Sequence, residues 1–540
     1  MDEAIRAQTP AAAPAVPAPR LRIGWTTVAL ALLTAGAAAY YSACSLLIHF
    51  SFHSFGWDMG IFDQVLWSFA HGHGFYYSFR SMSYMGDHFQ PVLMLLAPLV
   101  LLRLGPAPVL VAQGIAFAVA VVPLHAAVRN IVVRAGTPTP GRPEGRPYAD
   151  NDGARFAGVA AWAVSLAYVV SLGVVQAANY DFHPECFVPL CAFTALWALT
   201  TGRTGVFAAA TLALMPLKED MFVLVLGMCW VAWLGFGVRG PAVRVGATAV
   251  AYSAVISLVV MPLIAHGHSN PLLERYSYLG DNSREIAINA VVRPDLLARH
   301  LAHLSELRTL VYLLVGVGFL PLLRPRLLPP LAALVVLPML STSDVQQALE
   351  LHYGVVPYTF ALVLAAMAMA LREPQDERVV GGRLPRLPSL FHLRRTSGRS
   401  VLAAAGVLAL LAVGLFVAKS PLPPSFAADA GRFEVDHHAD VAQSFVDSVP
   451  GSVVVSAQAN FVPHLSERRH IYEYPRIEDA TVLLIDDKRA IPGYDLTGLE
   501  ECKATIEEIG FRLVREEDGI RMYERSADDA ARTNGGPVCW

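Results

Sequence analysis

Apolar runs too long for a soluble core recur along this chain, beginning with Ile23 to Phe50. A helix needs roughly 20 apolar residues to cross the hydrocarbon of a bilayer, and only helices or closed barrels satisfy their backbone there. These runs are too long for barrel strands, so the pattern predicts a mainly α, polytopic transmembrane protein. Hydropathy places about eleven spans, near residues 25–50, 107–128, 156–175, 186–201, 205–217, 221–237, 243–265, 309–323, 327–341, 353–371 and 400–418.

The segments between and beyond the spans are not uniform. Thr9 to Pro19 is rich in Ala and Pro, so residues 1–22 are expected to be a disordered cytoplasmic tail. Within the long loop 51–106, Gly60 to Ala70 reads as an apolar-aromatic helix, and Phe89 to Leu104 is apolar but short of a span. Both fit helices at the membrane interface. The transmembrane domain covers 23–418, and after Ala418 the chain turns polar. Ser452 to Ala457, Thr481 to Ile485 and Phe511 to Arg515 read as short strands, with Leu499 to Ile509 helical between two of them. The expectation is a small α/β domain over 419–530, followed by a tail at 531–540.

Composition agrees with the pattern: the 540 residues are 54% hydrophobic and 16% charged. A net charge of -3 argues against a nucleic-acid partner. Four cysteines, Cys44, Cys186, Cys191 and Cys229, lie in apolar segments and no zinc spacing occurs; Cys502 and Cys539 in the tail are a candidate disulfide.

Charge sets the orientation. Arg129, Arg134, Arg142, Arg146 and Arg155 fill one loop, and Arg372, Arg378, Arg383, Arg386, Arg394, Arg395 and Arg399 fill another. Basic loops face the cytoplasm. Arg203, the pair Arg239 and Arg244, and the pair Arg324 and Arg326 fall on the same side, so the N-terminus is expected inside and the C-terminal domain outside. This holds if 89–104 does not span. His53, His71, His73, His88, His183, His266, His268, His300, His303 and His352 then map to the outer face, and only His125 and His392 to the inner one. Ionisable groups at membrane depth are expensive, so their gathering on one face points to a cavity there.

Four turns carry that chemistry: Asp58 to Gln64, Asp87-His88, Asp181-Phe-His183-Pro-Glu185 and Lys218-Glu219-Asp220, with His352-Tyr353 a fifth. Asp58, Asp87 and Asp220 each precede an apolar helix and would serve as plain N-caps, and Pro184 suits a helix start. Capping uses one side chain per helix, however, and these turns carry two or three ionisable groups. Asp58 and Asp63 are five apart, about 140 degrees on a helix, and so do not face one substrate together. Asp58 is the candidate general base. Asp63, Gln64, Asp87, His88, Asp181, His183, Glu185, Lys218, Glu219, Asp220, His352 and Tyr353 are candidate substrate contacts. Lys218 is the only lysine in residues 1–418, and either pairs with its acidic neighbours or meets an anion.

Two chemistries fit such a cavity. A carboxylate can take the proton of an acceptor hydroxyl while a cation stabilises a departing phosphate. Alternatively Asp58, Asp181, His183 and Glu219 would hold a divalent ion, the one candidate cofactor. The pairs His71-Gly-His73 and His266-Gly-His268 read as surface histidines rather than metal ligands.

The run Asp58-Met-Gly-Ile-Phe-Asp63-Gln64, with Asp87-His88-Phe-Gln-Pro91, the Asp181 and Lys218 turns and His352-Tyr353, resembles a bacterial family of predicted membrane proteins (a domain of unknown function) over most of residues 40–525. That family in turn resembles the GT-C class of integral membrane glycosyltransferases. The resemblance implies transfer of a sugar from a polyprenyl-phosphate carrier to a glycan, lipid or protein acceptor at the outer face of a bacterial plasma membrane. Asp58 stands at the position of the base. Many such enzymes carry paired acids in this loop, whereas here four residues separate Asp58 from Asp63. Two other readings are a secondary transporter or channel-like protein, which would place ionisable groups on broken helices at the midplane, and an envelope assembly or sensor protein, whose outer domain would bind a partner.

Overall fold

The computed structural model describes residues 24–136, 150–268, 271–301, 304–369, 398–489 and 505–532. Helices dominate. Among these residues six are long and apolar enough to cross a membrane: Trp25–Phe50, Ala107–Arg134, Gly153–Ala178, Arg239–Ala265, Asp344–Ala368 and Gly398–Lys419. Shorter apolar helices are Pro184–Thr200, Thr204–Leu217, Phe222–Phe236, Leu307–Gly316 and Pro325–Met339. Every span expected from hydropathy falls on one of these. The short ones stop where the backbone is broken: Pro216 and Pro325 sit at helix boundaries, and Gly318, at φ +61, turns the chain with its Cα side against Leu408. A Cβ at Gly318 would be strained and only 3.1 Å from the Leu408 backbone.

The segment after Phe89 forms a helix over Leu93–Leu102, ten residues that end at Arg103 in the left-handed conformation. Met94, Leu95, Leu101 and Leu102 are exposed on it, which suits a helix lying in lipid headgroups. The bundle centre is Val355–Ala368, buried almost throughout and packed on Val188–Thr200 and Leu172–Ala178. Close approaches rest on small residues. A Cβ at Gly114 would stand 2.5 Å from Ser42 Oγ, so Trp25–Phe50 and Ala107–Val119 meet almost backbone to backbone.

The C-terminal part is a five-stranded sheet in the order β4-β3-β5-β7-β6, after a two-stranded hairpin in the first loop (β1 Tyr76–Tyr77, β2 Met82–Ser83). β3 Val455–Ala457, β4 Ile471–Glu473 and β5 Val482–Asp486 are parallel, while β7 Ile520–Glu524 runs antiparallel to β5 and to β6 Arg512–Glu517. The three strands expected from sequence correspond to β3, β5 and β6. β4 and β7 add to them: β4 is three residues before a proline, and β7 alternates with charges in a way a turn also would. The expected helix Leu499 to Ile509 lies mostly outside the described residues, with residues 505–508 helical. The N-terminal tail, Cys502, Cys539, His303 and His392 are also outside them.

The sheet docks on the first loop through polar contacts. Ser466 Oγ donates to Asp63 Oδ2 at 2.7 Å, and Gln64 Nε2 donates to the carbonyls of Arg468 (3.0 Å) and Arg469 (3.1 Å). Ser78 Oγ accepts from Ile471 N at 2.9 Å. The His464 ring stacks on His49 at 4.1 Å and on Phe52 at 3.9 Å.

Candidate active site

Asp58 lies in a wide turn, Gly56–Gly60, between an extended Phe55 and the helix Ile61–Ala70. Both flanking glycines are required by contact with the C-terminal domain: a Cβ on Gly60 would fall 2.6 Å from Val462 Cγ1, and one on Gly56 would collide with the Glu473 carboxylate. From the other side Asp181 clamps the turn, its Oδ2 accepting from the backbone N–H of Phe55 at 2.8 Å and of Met59 at 3.3 Å. Asp58 caps nothing. Its Oδ1 is 3.3 Å from His183 Nε2, its Oδ2 accepts from the Tyr180 hydroxyl, and its side chain is 28% exposed.

Tyr180, Asp181 and His183 share a turn held by one buried amide. Gln113, on the span Ala107–Arg134, donates to the carbonyls of Ala177 and Tyr180, both at 3.3 Å, and accepts from His183 N at 3.0 Å. His183 Nδ1 faces the carbonyl of Asp181 at 3.1 Å, which leaves Nε2 directed at Asp58. A neutral histidine there uses Nδ1 as donor and a charged one donates from both.

Charge follows from this packing. Burial alone would raise the Asp58 carboxyl, and the hydrogen bond from His183 outweighs it, holding Asp58 down to about 2. Burial opposes a charge on His183 too, but its bond to Asp58 raises it above the ordinary histidine value. Burial, then the charge of Asp58, push Asp181 up to about 7 against its two backbone hydrogen bonds. Two carboxyls on facing turns therefore behave oppositely, and Asp58 is the ionised one near neutrality.

The His183 ring stacks on His352 at 3.6 Å, and His352 in turn lines a cavity of about 110 Å³. One part of the wall is polar, with Glu185, Lys218, Asp220, Gln346, His352 and Tyr353; the rest is apolar, from residues such as Leu224, Leu334, Leu337 and Pro357. Lys218 Nζ is 3.1 Å from Glu185 Oε1. Burial disfavours the lysine charge, yet Glu185, Asp220 and Glu219 raise its pKa well above the usual range. Glu185 Oε2 and His352 Nδ1 are sealed from solvent without a hydrogen-bond partner among the described residues. Arg275 closes one side, donating to Tyr353 Oη and Gln346 Oε1, each at 3.0 Å.

Not every expected contact joins this group. Asp63 and Gln64 are a correction: both are fully buried and bound to the C-terminal domain, where burial and then the charge of Glu467 raise Asp63 to about 8. Asp87 is another, being turned to Arg80 and the Tyr77 hydroxyl. His88 pairs with Glu219 at 3.0 Å, and Glu219 also accepts from Phe89 N at 3.1 Å, so this pair braces the first loop against the Lys218 turn. The helix-cap alternative finds no support, because no side chain caps the helices after Asp58, Asp87 or Asp220. Among the described residues no group of three or more His, Cys, Asp or Glu is placed to hold a metal ion; Asp58, Asp181 and His183 bond one another or backbone, and Glu219 is engaged by His88. His71 and His73 lie exposed beside Trp67.

Gln113, Gln346 and Arg275 were not expected from sequence. Gln113 left one signal, as a primary amide within an apolar span, where polar groups are costly. The others have no local mark.

A family model described as Predicted membrane protein (DUF2079) matches residues 48–519. No curated protein matches the chain. Among solved structures the chain is similar to ArnT from Cupriavidus metallidurans in the apo state, at 14% identity and a TM-score of 0.47, covering 93% of this chain and 99% of that one.

Proposed function

We propose, from the premise that this chain belongs to the DUF2079 family of predicted membrane proteins, that it is a GT-C-like glycosyltransferase. It moves a sugar from a polyprenyl-phosphate carrier to an acceptor at the outer membrane face. The observation that carries this reading is an ionised carboxylate, Asp58, joined through His183 and a 3.6 Å ring stack to a mainly apolar cavity with a polar wall containing Lys218.

Such a cavity suits an amphipathic donor, with prenyl carbons against Leu334, Leu337 and Pro357 and the phosphate toward Lys218 and His352. In the reaction an acceptor hydroxyl gives its proton to Asp58 as its oxygen bonds to the anomeric carbon. The bond from that carbon to the phosphate oxygen breaks, and its electron pair leaves with the lipid phosphate. Lys218 meets the charge that develops there. His183 positions Asp58. The net charge balance needs no redox partner.

Mass analysis of lipid-linked sugars and envelope glycans in a deletion strain tests this. Accumulated polyprenyl-phosphate sugar together with loss of one glycan modification is expected; an unchanged lipid-linked pool and glycan profile would overturn the reading.

A further inference from the structure

At the membrane edge opposite the Lys218 turn, two helices start side by side and leave a groove between them. Thr204, Gly205 and Leu212 of the helix Thr204–Leu217 face Arg244, Val245 and Thr248 of the helix Arg239–Ala265 across a cavity of about 280 Å³. Thr204, Gly205, Arg244 and Thr248 are exposed, so the groove is open to the surroundings.

The charge at this end has the wrong sign for the helices themselves. A helix start presents unpaired backbone N–H groups and the positive end of its dipole, which favours acids there and disfavours cations. Neither helix has an acidic residue in its first turn or a side chain capping it. Arginine stands there instead, with Arg203 just before the first helix and Arg239 opening the second. Arg244 curls back toward the same start, because its Nη1 is the one atom a Cβ on Gly240 would meet, at 3.9 Å. Among the described residues no ion pair or hydrogen bond engages the guanidinium of Arg203, Arg239 or Arg244; Arg203 rests on the Trp197 ring at 5.0 Å. Three cations and two uncapped helix starts around one cavity ask for an anion.

The surroundings say which kind. Trp230 and Trp233 are exposed near this end, as the aromatic residues of a headgroup belt are. Val206, Val243 and Val250 are exposed along the two helices that form the groove. A ligand seated here meets arginine at one end and apolar carbon beside it, which suits a phosphate joined to acyl chains and not a free one.

We propose that this groove binds the headgroup phosphate of an anionic phospholipid, whose acyl chains lie on the exposed valines. The planar fork of Arg244 meets two phosphate oxygens at once, and the open N–H groups of the helix starts complete the site. The inference is independent of the transfer reading. It has a structural consequence, since both helices also hold the Lys218 turn: Thr204–Leu217 runs into it, and Ser253 Oγ on the second helix donates to the Glu219 carbonyl at 2.8 Å. A bound lipid ties those two helices together at their other end.

Native mass spectrometry of the full-length protein, released from nanodiscs of equimolar phosphatidylcholine and phosphatidylglycerol, reads the site directly. The protein should retain phosphatidylglycerol in severalfold excess over phosphatidylcholine, and Arg244→Gln should remove most of that excess. Gly205→Leu should do the same with every charge in place; a Cβ at Gly205 meets nothing within 4 Å, so the side chain fills the groove and not the core. Arg326→Gln, at an exposed arginine on the same edge but outside the groove, should leave retention unchanged. Equal retention of the two lipids, retention unchanged in both groove variants, or an equal loss in Arg326→Gln overturns the proposal. Inorganic phosphate added before release should not displace the lipid; displacement would make a soluble anion the ligand and overturn the lipid assignment.

Discussion

At the scale of single residues, the proposed function turns on how one environment separates two carboxyls. Asp58 and Asp181 belong to the same pair of turns, yet His183 keeps the first ionised while burial and Asp58 itself push the second to about 7. Removing His183 should therefore raise the Asp58 pKa. A base with a raised pKa loses its charge as pH falls, so His183→Ala should lose far more activity at pH 5 than at pH 8, which a pH–rate profile of kcat/KM checks. Lys218→Met should cost about a hundredfold or more in turnover, as loss of one preorganised charge at a leaving group does. Asp63 offers a stability test. Its folded value, about 8, lies above its unfolded one, so its contribution is fully present below about pH 4 and is lost as pH rises through 8. Asp63→Asn should raise the melting temperature at pH 8 and leave it nearly unchanged at pH 4. Sequence marked Asp58, Asp181, His183 and Lys218 because ionisable groups stand out against apolar spans. The same logic misplaced Asp63 and Gln64, since burial under a domain some four hundred positions away leaves no trace in the local sequence.

At the scale of elements, the glycines of the Gly56–Gly60 turn carry the clearest expectation. Gly60→Val would drive its Cβ against Val462, so it should loosen the C-terminal domain and weaken turnover together; limited proteolysis within residues 450–490 and activity are the two readings. Hydropathy placed the spans because their signal is local and strong. It was silent on β4 and β7, which are short and charged and become strands only by pairing with β3 and β5. It also gave no hint that Gln113 would organise the turn carrying Tyr180 and His183, because a hydrogen bond across nearly seventy residues depends on the packed bundle.

At the scale of the whole molecule, the C-terminal domain packs on the loop that carries Asp58 rather than standing apart from it. Its contacts through Ser466, Arg468, Ile471 and Val462 bear on the loop that presents Asp58. The arginine-rich loops predict that this assembly faces outward. Cysteine placed at the exposed His73 should then react with an impermeant thiol reagent in intact cells, and cysteine at Thr204, beside Arg203, should not; the reverse pattern would invert the orientation. The measurement that bears most directly on the central claim is sugar transfer by the purified protein in proteoliposomes supplied with a polyprenyl-phosphate sugar and an envelope acceptor fraction. Asp58→Asn, folded and inserted as the native protein is, should abolish transfer while still binding the donor. Transfer at the native rate by that variant would contradict the account.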